Sequence, residues 1–215
     1  MSAIILFGAG SPILGDVLET CARLGRTVVA VVQNLPDAPP SEPGLTVVRP
    51  GELSAEQLAL SFVVPLFGPA NRATAWKEAK ALGARRFEPL IDPTAVVPTR
   101  LALAEGIYVN AGVVIGAHAC LGRFAFVNRG ARIGHHVVLD DFVSVGPGAN
   151  LGSQVRVGRG ATIGNGAVIS SGMTVGEGAI VGVGAVVLRD IPARVTVLGN
   201  PARIANAPGQ GCKPD

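Results

Sequence analysis

The chain has 215 residues, a formal net charge of +3, 29 glycines and only 4% aromatic residues. Its arginines are scattered and not interleaved with aromatic residues, which argues against a nucleic-acid partner. No apolar run approaches the ~18 residues of a membrane span, and the N-terminus lacks the basic segment and cleavage site of a signal peptide. The cysteines Cys21, Cys120 and Cys212 lie far apart without metal-ligand spacing. We therefore expect reduced thiols in a cytoplasmic protein that binds neither nucleic acid nor membranes.

The N-terminal residues predict two strands joined by a helix. The first strand covers residues 3–7, and Ser11 is the expected N-cap of a helix that begins at Pro12 and runs to about Leu24. A second apolar strand covers residues 27–32. This order indicates a βαβ unit with a parallel sheet, and therefore a Rossmann-like domain.

The following residues predict further elements of the same domain. In chain order they are a Pro-rich loop (36–43), a strand near 45–48, a helix capped by Ser54, a strand over 60–67 that ends near Pro65, a helix over 70–82 and a strand over 86–90. We therefore place the N-terminal domain at residues 1–90.

The glycine turn after the first strand is a candidate phosphate site. Gly8 and Gly10 precede a predicted helix N-terminus, where free amide groups favour an anion. The dinucleotide fingerprint is incomplete, because Ile13 stands at its third glycine and Gln33-Asn34 stands where an acid is needed. Two interpretations stay open: a plain tight turn, or a site for a nucleotide or nucleotide-sugar.

A strict hexapeptide repeat begins at Ile91. An Ile, Val or Leu recurs at every sixth residue up to Val187, the residue four later is always apolar, and the residue just after is often Gly, Asn or Asp. Because these three residue types tolerate tight or left-handed backbone, each hexad predicts a short strand closed by a turn. One hexad cannot bury its large side chain alone. The repeat therefore predicts stacked coils, an all-β parallel β-helix over residues 91–191.

With this repeat the chain resembles the hexapeptide-repeat acyltransferases. The resemblance implies left-handed triangular coils of three hexads, or eighteen residues, each. Residues eighteen apart would then lie above one another at about the 4.8 Å sheet spacing. By this rule His118 and His136 stack on adjacent coils.

All three histidines, His118, His135 and His136, lie in the repeat. The stacked pair could be a metal pair or an incidental ladder. A catalytic zinc site needs three protein ligands, and the spacing of the three histidines in hexapeptide-repeat carbonic anhydrases is not present here. We therefore expect no metal, and a metal-dependent hydratase is kept as an alternative.

Residues 134–149, GHHVVLDDFVSVGPGA, resemble the active-site coil of the bacterial sugar acetyltransferases that modify sialic acids and nucleotide-activated amino-sugars. Those enzymes also carry a short Rossmann-like domain before the left-handed helix. Their helix ends in Gly-Asn/Val-Pro-Ala-Lys/Arg, as Gly199 to Arg203 does here. The resemblance covers nearly the whole chain. It implies a homotrimer whose acetyl-CoA groove lies between two subunits.

The resemblance also implies roles for individual residues. The catalytic base of the family falls on His135, and imidazole can take a proton from an attacking amine or hydroxyl and return it to the departing thiolate. The oxyanion donor falls on the main-chain amide of Ser153, eighteen residues later. By the stacking rule Gly146 and Gly182 lie beside a column with Asn165 and Val183, where a pantetheine arm could lie flat, or these glycines serve only the turns. The expected contacts of acetyl-CoA are Gly146, Ser153, Asn165, Gly182, Val183, Pro201 and Arg203. The expected contacts of the acceptor are Gly8, Gly10, Ser11 and Asn128.

The chain departs from the family at four places. His136 stands where an acid usually orients the base, and Ser144 replaces a second histidine. Gly10-Ser11-Pro12 replaces a Gly-Gly-His or Ser-Gly-His signature, and Gln33-Asn34 replaces an acidic pair. These changes concern imidazole orientation and acceptor recognition. Acyl-CoA chemistry is therefore predicted more firmly than any particular sugar, and we assign His136 to the catalytic group.

The sequence thus predicts an acetyl-CoA-dependent acetyltransferase that acts on an amine or hydroxyl of a sugar, expected to be nucleotide-activated. Residues 1–90 would bind the acceptor, residues 91–191 would carry the acyltransfer chemistry, and residues 192–215 would form a segment at the CoA end with a frayed tail. A non-catalytic scaffold subunit is the second alternative, because the N-terminal signature is altered.

Overall fold

A computed structural model describes residues 3–35 and 44–206. The predicted Pro-rich loop (36–43) and the predicted frayed tail, with Cys212, lie outside the described residues. Within these limits, none of the helices combines the length and hydrophobicity that a membrane span requires.

The N-terminal residues form a five-stranded parallel sheet with the order β3-β2-β1-β4-β5. Its strands are β1 (Ala3–Phe7), β2 (Thr27–Val32), β3 (Val47–Val48), β4 (Ser61–Val63) and β5 (Arg86–Phe87). The helices are α1 (Leu14–Arg23), α2 (Ala55–Leu58) and α3 (Pro69–Ala81), with a 3-10 turn at Pro50–Glu52. Side chains alternate along a strand, so α1 packs with Ile4 and Leu6 on one face of the sheet, and α3 packs with Ile5 and Phe7 on the other.

The prediction for the start of α1 is wrong. The helix begins at Leu14, its N-cap is Ile13, and no side chain caps it. The amide groups of Gly8 and Ala9 both donate to the carbonyl of Val32, at 3.0 and 2.9 Å, and thereby turn the chain across the end of β2. The helix can form only after this turn. The capping box at Ser54 is confirmed: its hydroxyl accepts from the Gln57 amide at 3.2 Å.

From Leu90 onward the chain forms three sheets whose strands repeat every eighteen residues as far as Val187, and Thr196 of the following strand pairs with Ile180, sixteen residues earlier. Face 1 holds β6 (Leu90–Ile91), β7 (Tyr108–Val109), β10 (Phe126–Val127), β13 (Ser144–Val145), β16 (Thr162–Ile163), β19 (Ile180–Val181), β21 (Thr196–Leu198) and β22 (Arg203–Asn206). Face 2 holds β8 (Val114–Ile115), β11 (Arg132–Ile133), β14 (Asn150–Leu151), β17 (Val168–Ile169) and β20 (Val186–Val187). Face 3 holds β9 (Cys120–Leu121), β12 (Val138–Leu139), β15 (Arg156–Val157) and β18 (Thr174–Val175).

Strands eighteen residues apart pair in parallel, as in Arg132 with Asn150, and among the strands of residues 3–35 and 44–206 only β22 is antiparallel, on β21. The stacking rule is therefore confirmed, and the architecture fits a left-handed parallel β-helix. Its interior is filled by the two predicted apolar columns. Leu103 is an exception, because it is 55% exposed in a segment without strands, while Leu101 packs against the core. The Leu101 amide donates to the Pro98 carbonyl, and this turn takes the place of the predicted strand.

The turns at the three edges, or corners, of the β-helix differ in composition. The glycine corner joins face 1 to face 2 (110–113, 128–131, 146–149, 164–167, 182–185). The histidine corner joins face 2 to face 3 (116–119, 134–137, 152–155, 170–173). The aromatic corner joins face 3 to face 1 (122–125, 140–143, 158–161, 176–179).

The glycines that follow the aliphatic column have a different role from the predicted one. The left-handed residue of each turn lies two positions later, at Gly112 or Gly130 for example. A Cβ on Gly134 would lie 2.6 Å from the Ser153 nitrogen on the next coil. These glycines are required because adjacent coils approach closely, whatever their φ angle.

The N-terminal domain packs on face 1 and reaches both corners beside it. Tyr108 and Phe126 of face 1 belong to the same apolar cluster as Leu6. At the aromatic corner, Trp76 lies 5.5 Å from the Phe124 ring centroid and 5.7 Å from that of Phe142. The histidine corner is the one corner that does not border face 1.

Candidate functional site

The three histidines form one exposed cluster at the histidine corner. Nδ1 of His135 lies 2.9 Å from Nδ1 of His136, with the two rings nearly perpendicular at 87°. The ring of His136 lies over that of His118 on the neighbouring coil, with centroids 4.8 Å apart. The predicted stack of His118 and His136 is therefore confirmed.

This cluster has the geometry of a stack and not of a metal site. The rings of His118 and His136 are inclined by only 33°, so they lie side by side and do not converge on one point. Among residues 3–35 and 44–206, no group of three His, Cys, Asp or Glu side chains is placed to hold a metal ion. A catalytic zinc needs three such ligands.

Ser153 lies one coil from His135, as the stacking rule predicts. The amide of Gln154 donates to the His135 carbonyl at 2.9 Å, which fixes the two coils relative to each other. The Ser153 amide itself donates no hydrogen bond to any described residue. A free amide group near an exposed imidazole can stabilise negative charge on a reacting oxygen.

The remaining predicted residues of the β-helix lie at the glycine corner, one face away. Gly146 packs so closely under the next coil that a Cβ would lie 2.7 Å from the Asn165 nitrogen. Val183, in the same column as Asn165, is 75% exposed, and Gly182 precedes it. The structure thus divides the predicted site between two corners. The catalytic candidates His135, His136 and Ser153 lie at the histidine corner, and the predicted acetyl-CoA contacts Gly146, Asn165, Gly182 and Val183 lie at the glycine corner.

Asn128 also lies at the glycine corner, where it is 5% exposed. Its side-chain oxygen accepts from Nδ2 of Asn110 and from the amide of Arg129, both at 2.8 Å. Arg129 in turn pairs with Asp16 of α1 at 2.7 Å. The oxygen of Asn128 is thus already occupied, which leaves the Nδ2 group for any acceptor contact.

A cavity of about 380 Å³ lies in the N-terminal domain at the carboxyl ends of β1, β2 and β4. Of the predicted acceptor residues, Gly10 and Ser11 line it, and Gly8 lies behind it, where an added Cβ would lie 3.1 Å from the Leu66 side chain. The other lining residues are Ala9, Pro12, Ile13, Asn34, Leu35, Leu66, Phe67, Gly68, Asn71 and Thr74. The residues after β4 were missed by the sequence analysis. The rule that ligands bind where neighbouring parallel strands diverge could have found them.

A buried guanidinium joins this cavity to the β-helix. Arg72 of α3 is 1% exposed and donates to the carbonyls of Leu66 and Phe67 behind the cavity and of Phe142 in the aromatic corner. Further acceptors are the Phe124 carbonyl, the Val143 carbonyl and the Ser144 hydroxyl. Burial lowers the pKa of Arg72 to about 9, which still leaves it charged at neutral pH.

Ser144, which stands where the family has a second histidine, faces the N-terminal domain. It is fully buried, accepts from Arg72 at 3.0 Å and donates to the Phe67 carbonyl at 2.5 Å. Its place on face 1 separates it from the histidine corner. In this chain the position therefore contributes to domain packing.

The predicted CoA-end residues lie at the last coil. Pro201 and Arg203 line a small cavity of about 110 Å³ together with Val187, Leu188, Arg189, Ile191 and Ala202. The exposed Arg203 side chain donates to the Ala202 carbonyl at 3.0 Å. An exposed arginine at this position can reach an anionic group.

No protein-family model and no curated protein sequence matches the chain. Solved structures resemble it over nearly its whole length. A mutant of perosamine N-acetyltransferase from Caulobacter crescentus, in complex with CoA and GDP-perosamine, is 30% identical, with 96% of this chain and 98% of that chain covered and a TM-score of 0.86. The acetyltransferase domain of PglB from Neisseria gonorrhoeae, in complex with acetyl coenzyme A, is 32% identical over 94% and 98% of the two chains, with a TM-score of 0.83.

WeeI from Acinetobacter baumannii shares the fold at 23% identity, with a TM-score of 0.79 and 95% of this chain covered. The three structures match both the N-terminal domain and the β-helix in one alignment. The order of the two parts along the chain is therefore common to all of them.

Proposed function

Because the chain belongs to the hexapeptide-repeat sugar acetyltransferases, we propose that it transfers the acetyl group of acetyl-CoA to an amine of a nucleotide-activated sugar. One observation carries the proposal. The exposed imidazole of His135 lies one coil from the unpaired amide of Ser153, on a frame that matches the CoA and GDP-perosamine complex along 96% of the chain. The choice of an amine over a hydroxyl rests on the activity named for that relative.

The reaction follows from the chemistry of these two groups. The neutral amine attacks the thioester carbon, and Nε2 of His135 takes a proton from the attacking nitrogen. The Ser153 amide donates to the carbonyl oxygen, which becomes an oxyanion in the tetrahedral intermediate. When the intermediate collapses, the carbon–sulfur bond breaks and His135 returns the proton to the thiolate. The products are the acetamide and CoA.

The N-terminal domain supplies the acceptor site in this proposal. We propose that it is a Rossmann-like domain over residues 1–90, and its parallel sheet order β3-β2-β1-β4-β5 and the glycine turn after β1 support this proposal. The cavity at the carboxyl ends of its strands has the size of a small-ligand pocket. We assign the nucleotide to it, with Gly8, Gly10 and Ser11 forming one wall and Asn128 contacting the sugar.

We propose that the active site is built from more than one copy of the chain. The nucleotide cavity belongs to the domain on face 1, whereas His135 lies at the one corner that does not border that face. We therefore propose a homotrimer in which the nucleotide-sugar bound in the cavity of one subunit reaches His135 of the neighbouring subunit. The pantetheine arm would follow the small residues Gly146 and Gly182, past Asn165 and Val183.

The segment from residue 192 onward would hold the nucleotide end of the co-substrate. Pro201 and Arg203 lie at the last coil, beyond the glycine corner, and the exposed Arg203 suits a phosphate of CoA. A cytoplasmic location, where acetyl-CoA is available, stays a prediction from the cysteine content.

The first test is calorimetric titration of the purified protein with acetyl-CoA. A panel of UDP-, GDP-, dTDP- and CMP-linked amino-sugars is then added, and melting temperature and CoA release are recorded. We expect acetyl-CoA to bind and one nucleotide family to raise the melting temperature and to be acetylated. Failure to bind acetyl-CoA would favour the scaffold alternative.

The shared active site predicts complementation between two inactive variants. His135→Ala removes the base, and Asn71→Trp fills the nucleotide cavity from an exposed position on α3. Mixed trimers, formed by co-expression, contain sites that take His135 from one variant and an open cavity from the other. With random assembly about one quarter of the sites are complete, so about one quarter of wild-type activity should return. A mixture as inactive as its components would place the whole site in one chain.

A further inference from the structure

We propose that His136 is the positioning residue of the catalytic base, and that it acts as a neutral hydrogen-bond acceptor for His135. The proposal rests on the proposed function, in which His135 is the base. Its starting observation is the 2.9 Å separation of the two Nδ1 atoms. At that distance one nitrogen must carry the proton and the other a lone pair.

The role of the base decides which nitrogen carries the proton. A general base needs a lone pair on the nitrogen that faces the substrate, which is Nε2 of His135. A neutral imidazole with a free Nε2 carries its proton on Nδ1. His135 therefore donates through Nδ1, and Nδ1 of His136 accepts, with the proton of His136 on its own Nε2. This is the tautomer that His135 would adopt less often in water.

The surroundings hold His136 in the accepting orientation. Its backbone is left-handed with φ of 58°, and its ring lies on that of His118, which has the same backbone conformation with φ of 60°. The next coil carries the uncharged Gln154 at the equivalent turn position. Among the described residues no carboxylate forms a hydrogen bond with any of the three histidines. The orienting group is therefore an imidazole, not an anion.

Two substitutions of His136 distinguish the role of its acceptor atom from the role of its aromatic ring. His136→Asn keeps a short acceptor oxygen near the position of Nδ1, tolerates left-handed backbone, and removes the stack on His118. His136→Phe keeps an aromatic ring on His118 and removes the acceptor. Phenylalanine fits such a turn in this protein, because Phe124 and Phe142 occupy equivalent positions with φ of 55° and 60°.

We expect His136→Phe to lower kcat about 10- to 100-fold, the size of a lost hydrogen bond to a group that becomes charged, while His136→Asn stays within about 3-fold of wild type. KM for acetyl-CoA should change little in either variant. Equal losses in both variants, or a Phe variant as active as wild type, would overturn the proposal.

A spectroscopic measurement tests the same point without turnover. In protein labelled with ¹⁵N at histidine, Nδ1 of the neutral His135 ring should carry the proton in the wild type and in His136→Asn. In His136→Phe the proton should move to Nε2. An unchanged tautomer in the Phe variant would refute a positioning role for His136. If His135 is not the base at all, the result is different: His135→Ala then shows near-normal turnover.

Discussion

Replacing His135 by alanine is expected to lower kcat by about 10²- to 10⁴-fold, the range that general-base catalysis contributes. Without the imidazole, the attacking amine must lose its proton to water, and the departing thiolate has no nearby donor. The Ser153 amide stays in place, because the hydrogen bond from Gln154 to residue 135 uses the main-chain carbonyl. Binding of acetyl-CoA should therefore be retained. Steady-state kinetics with the acceptor found in the panel, together with calorimetry, measures both quantities.

His118→Ala is the matched control for this change. It removes an exposed imidazole from the same corner one coil away, and with it the ring on which His136 stacks, but it keeps both partners of the contact between His135 and His136. We expect a loss of kcat well below that of His135→Ala, and melting temperatures of both variants close to wild type. Turnover by His135→Ala within a few fold of wild type would remove this residue from the mechanism.

Replacing Arg72 by methionine is expected to lower the free energy of unfolding by at least about 1–3 kcal/mol, the cost of leaving one buried polar group without its hydrogen-bond partner. Methionine fills much of the same space but donates no hydrogen bonds. The carbonyls of Leu66, Phe67 and Phe142 and the hydroxyl of Ser144 would then stay buried with fewer donors. Each unsatisfied polar group adds to the cost. Denaturant unfolding followed by Trp76 fluorescence measures the change at the interface itself.

Arg123→Met provides the comparison. Arg123 pairs with Asp141 at 2.7 Å, but the two side chains are 46% and 26% exposed. Solvent screens such a pair, and its loss should cost at most about 1 kcal/mol. If the two methionine variants unfold at the same denaturant concentration, the buried network around Arg72 contributes nothing specific to the docking of the domains.

The sequence was sufficient for the β-helix because its period is strict. Each aliphatic residue of the column meets the same environment on every coil, so a local pattern predicts a long-range contact such as that of His118 with His136. The same periodicity hid the irregularity at Leu103. A loop that contains as many residues as a hexad leaves the spacing unchanged, and only the 55% exposure of Leu103 in the structure reveals it.

The domain interface could not be predicted from the pattern. Arg72 and Ser144 are both polar residues in otherwise ordinary surroundings, and their contact joins positions 72 residues apart. A serine at a position where relatives carry histidine indicates a change, but it does not name the new partner. The late start of α1 has a similar cause. Locally, Ser11 and Pro12 favour a helix that begins at Pro12, but the carbonyl of Val32 in β2, distant in sequence, accepts hydrogen bonds from the turn before it.

Several left-handed turn positions of the β-helix carry a side chain, although glycine would adopt this conformation at a lower cost in free energy. Every such position of the glycine corner from Gly112 to Gly184 is glycine, whereas the histidine corner has His118, His136 and Gln154 and the aromatic corner has Phe124 and Phe142. A non-glycine residue in this conformation costs about 1–2 kcal/mol. At three of these positions the side chain makes a specific contact: His136 with His135, and Phe124 and Phe142 with Trp76. In other solenoids of this kind, bulky residues at left-handed turns would thus indicate the edges where side chains make specific contacts, and these positions can be read from the sequence once the coil length is known.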